Sequence, residues 1–142
     1  MDANYSSSQV PQQGNEEGQG SRRVLVVEDE AIIAMYVEDV ISKFGYSVAG
    51  VVTNVDEALA FIEKHAIDAA VLDINLKGTL VFPFADALLR RGIPFVFASS
   101  YGEGGIPARY RVGPVVQKPF APSELHRALA ATEQVRQKTA DA

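Results

Sequence analysis

The chain has 142 residues, which is long enough for one folded domain with a buried core. Its formal charge of −5 offers no basic surface for nucleic acid, and no apolar run reaches the roughly 20 residues of a membrane-spanning helix, so we expect neither a nucleic-acid nor a membrane partner. The absence of cysteine excludes disulfides and thiolate chemistry, and with no export signal at the N-terminus we expect a cytoplasmic protein.

Three regions differ in composition. Residues 1–20, MDANYSSSQVPQQGNEEGQG, have almost no apolar side chains to bury, so we predict a disordered N-terminal tail. Residues 21–137 are predicted to form the folded domain. Residues 138–142 are expected to fray, as chain ends commonly do.

Strand and helix patterns alternate along the folded region. Short runs rich in β-branched residues predict five strands, RRVLVVE, YSVAGVV, AAVLD, PFVFAS and GPVVQK. Helical spacing predicts helices over Glu30 to Lys43, from the cap pair Asn54 and Glu57 to about His65, from Val81 to Gly92, and from Pro122 onward.

The stretch between the fourth and fifth strands is different. SYGEGGIPARYRVG holds four glycines and a proline, which cost about 1 and about 3 kcal/mol in a helix interior. A helix is expected here from the alternation, and we predict that this fourth helix is short, distorted or mobile.

Alternating strands and helices predict a doubly wound α/β fold of the flavodoxin-like kind. The connections should be right-handed crossovers, and we expect a five-stranded parallel sheet in the order 2-1-3-4-5 with helices on both faces. In such sheets ligands bind beyond the carboxyl ends of the strands.

Polar side chains follow the carboxyl ends of four predicted strands. They are Glu28 and Asp29 after the first strand, Asp73 after the third, Ser99 after the fourth, and Lys118 after the fifth. Neighbouring strand ends should bring these groups together. Ser100 competes with Ser99 on spacing alone, and Glu30 is equally explained as a charge at the start of a helix.

Clustered carboxylates repel one another and stay ionised at neutral pH when a cation neutralises them. Oxygen ligands without sulfur suit Mg²⁺ (or Mn²⁺), with Asp29 and Asp73 as direct ligands, Glu28 acting through water, and the backbone carbonyl of Asn75 completing the set. Asp73 is then a candidate nucleophile toward a phosphoryl group, with Lys118 and Ser99 available to neutralise its oxygens.

The segments VLVVEDE, VLDINL, FASS and VVQKPF resemble, in order and spacing, the signatures of receiver domains of response regulators in two-component signalling. The resemblance implies that Asp73 is the phosphoacceptor and that Glu28 and Asp29 are the acidic metal-binding pair. It also gives Ser99 and Lys118 the places of the conserved hydroxyl and lysine, and implies a cis bond between Lys118 and Pro119.

Two features depart from typical receivers. The strand-five position that usually carries an aromatic switch residue is Val115, and FASSYG instead places Tyr101 two residues after Ser99. This is similar to a subgroup with a Phe-Ala-Thr-Gly-X-Tyr-like motif, common among partners of atypical histidine kinases. We hypothesise that Ser99 and Tyr101 form the switch and that phosphorylation orders residues 101–113.

The resemblance implies a stand-alone phosphoacceptor domain, not an enzyme with a separate substrate. Its partners would be a histidine kinase or histidine phosphotransfer protein and an unknown downstream protein, and it would signal by protein contact or serve as a phosphate sink. One alternative is a phosphorylation-independent interaction module on the same fold. Another is a phosphatase with an aspartyl nucleophile. Such enzymes carry a DxD motif at the nucleophile, and this chain has Asn75 in place of the second Asp.

Overall fold

The computed structural model describes residues 21–141, with side chains as far as Glu133. Its strands are β1 (Arg23–Val27), β2 (Ser47–Val52), β3 (Ala69–Asp73), β4 (Asn75–Leu76), β5 (Thr79–Leu80), β6 (Phe95–Ser99) and β7 (Val115–Gln117). Its helices are α1 (Ala31–Lys43), α2 (Val55–Lys64), α3 (Phe82–Arg91) and α4 (Pro122–Asp141). The predicted tail, 1–20, lies outside the described residues, and the predicted fraying of 138–142 stays a prediction.

Five strands form one parallel sheet in the order β2-β1-β3-β6-β7. These are the five strands expected from the sequence, so the predicted order is confirmed. The hairpin of β4 and β5, in the loop after β3, was not predicted.

The sheet is covered on both faces because successive side chains of each strand point to opposite sides. In β1, Leu25 and Val27 belong to one core cluster, whereas Val24 and Val26 belong to the other. The first cluster includes buried residues of α2 and α3, and the second includes buried residues of α1 and α4. Strands this apolar need helices on both faces of the sheet to bury their side chains. The carboxyl ends of the strands are not covered by these helices and remain accessible.

Helix boundaries follow the local chemistry of the chain. The Asn54 side chain accepts a hydrogen bond from the Glu57 backbone N–H at 2.8 Å, and the Glu57 carboxylate accepts one from the Thr53 N–H at 3.0 Å. This capping interaction begins α2 as the sequence predicted. At the other end of a helix, Gly92 caps α3 in the left-handed conformation, with φ of 68°.

The segment between β6 and β7 contains two short 3-10 helices, Gly102–Gly105 and Ala108–Tyr110, in place of an α-helix. The prediction of a shortened fourth helix is therefore confirmed. The second half is nevertheless well packed, since Ile106 and Tyr110 are buried and the Tyr110 ring stacks on Phe82 with 4.6 Å between ring centroids.

Among the described residues, no helix combines the length and apolar character that crossing a membrane requires.

Candidate phosphoacceptor and metal site

The predicted site residues meet at the carboxyl edge of the sheet. Asp73 ends β3, Ser99 ends β6, and Glu28 directly follows β1, where its backbone N–H donates to the Val52 carbonyl at 3.0 Å. Lys118 directly follows β7, and its backbone N–H donates to the Ser99 carbonyl at 2.8 Å. These backbone hydrogen bonds fix the start of each loop and so fix where each side chain begins.

The Lys118 ammonium lies between two carboxylates. Its Nζ is 3.0 Å from Oε1 of Glu28 and 3.1 Å from Oδ1 of Asp73, and the side chain is 15% exposed. Glu28 is 4% exposed and Asp73 13%, so water screens these charges weakly. Removal of Lys118 would leave two largely buried carboxylates without a compensating charge, which is strongly destabilising.

Three carboxylates form a candidate cation site. Glu28, Asp29 and Asp73 each offer a carboxylate oxygen, and these oxygens all lie within 4.8 Å of one another. A set of hard oxygen donors with no nitrogen or sulfur ligand is the donor chemistry that Mg²⁺ prefers, so these residues fit that ion.

The electrostatics of the carboxylates agree with a site that gains from a cation. Burial raises the pKa of Glu28 and the hydrogen bond from Lys118 lowers it in part, with a net pKa of about 7. Burial also raises the pKa of Asp73, against the opposing charge of Lys118. For Lys118, burial lowers the pKa, but the hydrogen bond to Glu28 and the charge of Asp73 outweigh it, so its pKa is raised and the ammonium stays charged.

Ser99 is buried, and its hydroxyl oxygen accepts a hydrogen bond from the Tyr101 backbone N–H at 3.0 Å. The hydroxyl proton of Ser99 remains free to be donated elsewhere. The Tyr101 side chain is 82% exposed, so the ring does not cover the site in this structure. Ser100, the competitor on spacing, is exposed, one residue beyond the end of β6.

Asn75 lies two residues after Asp73, at the start of the β4–β5 hairpin. Its side chain is engaged within that hairpin, where Oδ1 accepts a hydrogen bond from the Gly78 N–H at 2.6 Å. The Lys118–Pro119 peptide bond is cis.

One hydrogen bond that supports the loop beside the site gives no signal in the sequence. The Tyr36 hydroxyl, on α1, donates to the backbone carbonyl of Phe120 at 2.7 Å and so holds the loop that follows Pro119. No local pattern could have revealed it, because the two residues are 84 positions apart.

Comparison with known proteins decides the family. Residues 24–130 match the family model described as the response regulator receiver domain. The chain belongs to the receiver domain family. Receiver domains are signalling domains of two-component systems, bind Mg²⁺ at an acidic site, and interact with histidine kinases or phosphotransfer proteins and with downstream partners.

Solved receiver domains share this architecture. The solution structure of SdrG from Sphingomonas melonis Fr1 is 43% identical, with a TM-score of 0.71 over 79% of this chain and 96% of that one. The BeF3-activated conformation of SdrG from Pseudomonas melonis Fr1 is 44% identical, with a TM-score of 0.68 over 77% of this chain and 93% of that one.

A curated relative extends the comparison to a longer protein. The transcriptional regulatory protein PdtaR of Mycobacterium tuberculosis is 28% identical over 108 residues, which cover 73% of this receiver chain and 53% of PdtaR. The chain thus spans about half the length of that relative.

Proposed function

We propose that this chain acts in the cytoplasm as a response-regulator receiver domain that accepts a phosphoryl group on Asp73. The donor is a histidine kinase or a histidine phosphotransfer protein. The phosphorylated domain signals by contact with a downstream protein or serves as a phosphate sink. It catalyses its own phosphorylation and dephosphorylation and has no other substrate.

The observation that carries the proposal is the arrangement around Asp73. The Lys118 ammonium is 3.1 Å from one Asp73 oxygen, and the oxygens of Glu28 and Asp29 lie within the same 4.8 Å group. A partly buried nucleophilic carboxylate beside a fixed cation and two further acids is suited to receive a phosphoryl group with Mg²⁺. A helix cap or turn residue would require none of these neighbours.

The residues of the site have separate roles in the transfer. An oxygen of Asp73 forms a bond to phosphorus while the bond from phosphorus to the donor breaks, and the leaving group departs with that electron pair. Lys118 neutralises one phosphoryl oxygen, and Ser99 donates its hydroxyl proton in a hydrogen bond to another. Glu28, Asp29, Asp73 and the backbone carbonyl of Asn75 would hold the divalent ion, which supplies positive charge to the phosphoryl oxygens.

The test is incubation of the chain with acetyl phosphate and Mg²⁺, followed by intact-mass measurement. The wild type should gain one phosphoryl group, with acetate as the leaving group, and Asp73→Asn should gain none. Asp39→Asn is the matched control, because it removes an exposed carboxylate on α1 that pairs with Lys43 instead of the site.

Each alternative function has a distinct outcome in the same experiment. Failure of the wild type to gain mass, with the fold intact, would favour a phosphorylation-independent interaction module, which Val115 and the reduced fourth helix also suit. Continuous hydrolysis of a generic phosphate ester would favour an aspartyl phosphatase. Retention of the mass gain in Asp73→Asn would contradict the assignment of the phosphoacceptor.

The proposed switch is supported by the contact between Ser99 and Tyr101. If the Ser99 hydroxyl turns toward a phosphoryl oxygen, its hydrogen bond from the Tyr101 N–H must shift or break. Tyr101 begins the Gly-rich segment, so a change at Ser99 reaches that segment directly. This couples the site to the Gly-rich segment in a domain where Val115, partly buried against the core, replaces the usual aromatic residue.

A further inference from the structure

The hairpin after Asp73 has a register that determines where its backbone groups point. β4 and β5 pair Asn75 with Leu80 and Leu76 with Thr79. Opposite residues in an antiparallel ladder alternate between pairs that exchange hydrogen bonds and pairs that do not. Because the Val81 N–H donates to the Ile74 carbonyl at 2.8 Å, the adjacent Asn75–Leu80 pair is of the second kind. The Asn75 carbonyl therefore points away from β5.

The hairpin is held closed at its turn and at its base. Lys77 and Gly78 have φ of 54° and 93°, the left-handed pair that a two-residue hairpin turn needs. The Asn75 side chain ties the turn to β4 through its hydrogen bond with Gly78. Leu76 is buried and anchors the first strand to the core.

We propose that the β4–β5 hairpin is a positioning element for the metal site, which holds the Asn75 carbonyl outside the strand pairing as a preformed ligand. Lys77 and Gly78 are positioning residues that act through Asn75. The proposal rests on the proposed Mg²⁺ site of Glu28, Asp29 and Asp73.

Preorganisation of this ligand matters because Mg²⁺ demands a near-octahedral set of oxygens at about 2.0–2.1 Å. A carbonyl on an open loop would adopt the position needed to bind the ion for only a fraction of the time. The apparent affinity for Mg²⁺ would then be multiplied by that fraction. The hairpin removes this loss without adding any contact to the ion.

The decisive experiment compares two glycines. Gly78 has φ of 93° and Gly45, at the far end of α1, has φ of 91°, and an added Cβ at either meets nothing within 4 Å. Both Gly→Ala changes therefore impose similar backbone strain. In calorimetric titration of the full chain with MgCl₂, we expect Gly78→Ala to bind about three- to tenfold more weakly than wild type. Gly45→Ala should lose comparable stability and keep wild-type Mg²⁺ affinity.

In a second pair of variants, one change favours the hairpin turn and the other controls for the loss of charge. Lys77→Asn and Lys77→Gln both remove one positive charge, but Asn followed by Gly is the favoured sequence for this turn. Lys77→Asn should therefore bind Mg²⁺ more tightly than Lys77→Gln. Equal affinities for this pair, or a Gly78→Ala affinity equal to that of Gly45→Ala, would overturn the proposal.

Failure of the underlying metal site gives a different result. If the wild type takes up no Mg²⁺, or if Asp29→Asn binds it with unchanged affinity, the proposed metal site is wrong and the hairpin proposal is overturned with it. If Asp29→Asn abolishes binding while Gly78→Ala leaves it intact, the metal site stands and only the hairpin proposal is overturned.

Discussion

At the residue scale, the positive charge of Lys118 only partly compensates the two carboxylates beside it. Glu28 and Asp73 are both close to Lys118, yet their pKa values are raised, because one ammonium does not fully offset the burial of two carboxylates. The site without a divalent cation is therefore short of positive charge. This deficit is what a metal ion would correct.

The deficit predicts how stability depends on pH without metal. The pKa of Glu28 is about 7 in the folded protein and about 4.5 when unfolded, so the folded state binds the proton more tightly. The stability that Glu28 contributes is fully present below pH 4.5 and is lost as pH rises through 7. Glu28→Gln, which does not titrate, should be more stable than wild type at pH 8 by about 1–2 kcal/mol, after allowance for screening and coupling to Lys118.

Urea unfolding in EDTA at pH 5 and pH 8 measures this difference. The advantage of Glu28→Gln should shrink toward pH 5, where the wild-type carboxyl is largely protonated. A wild type that gains stability relative to the variant between pH 5 and pH 8 would contradict the raised pKa.

At the element scale, the Gly-rich segment divides into two halves with different packing. Residues 102–105 form a 3-10 turn without a buried side chain, preceded by the exposed Tyr101. Farther along, Ile106 and Tyr110 are buried, and the Arg109 guanidinium pairs with Asp86 at 3.0 Å. The sequence indicated the weakness of the whole segment through its glycines, but it could not show that the second half is anchored to α3.

This division sharpens the hypothesis of an order–disorder switch. Beryllofluoride with Mg²⁺, used as a phosphoryl mimic, should increase amide protection at 101–105, which adjoin Ser99. Residues 106–111 should change little, because their contacts to Phe82 and Asp86 do not depend on the site. Hydrogen exchange with mass spectrometry measures both peptides, and Asp73→Asn is the control without the phosphoacceptor. Unchanged protection at 101–105 would refute the switch.

Elements differ in how far the sequence could predict them. The cap of α2 could be predicted because Asn54 and Glu57 are only three residues apart in the sequence. The β4–β5 hairpin was missed because its strands have two residues each and Lys77 gives no turn signal, although it adopts a left-handed φ. The bulge in β2, where Leu25 pairs with Gly50 after Val24 pairs with Val48, depends on contacts across the sheet that no local pattern records.

At the scale of the whole molecule, topology explains why the site was predictable. Parallel strands joined by crossovers present all their carboxyl ends at one edge, so residues far apart in sequence must converge there. Glu28, Asp73 and Lys118 were each placed correctly at that edge by strand assignment alone. The distances between them, and the bridging position of Lys118, required coordinates because they depend on side-chain conformation.

The same convergence predicts that Mg²⁺ stabilises the entire fold. The ion would contact loops after β1 and β3, which are neighbouring strands at the centre of the sheet, so unfolding must release it. At ten times the dissociation constant, binding to the folded state alone adds about 1.4 kcal/mol, which should raise the melting temperature by roughly 3–6 °C. Differential scanning fluorimetry with MgCl₂, against NaCl of equal ionic strength, measures the shift. Asp29→Asn should abolish it and Asp39→Asn should retain it. An equal shift in all three proteins would mean that Mg²⁺ stabilises the fold from somewhere other than the acidic site.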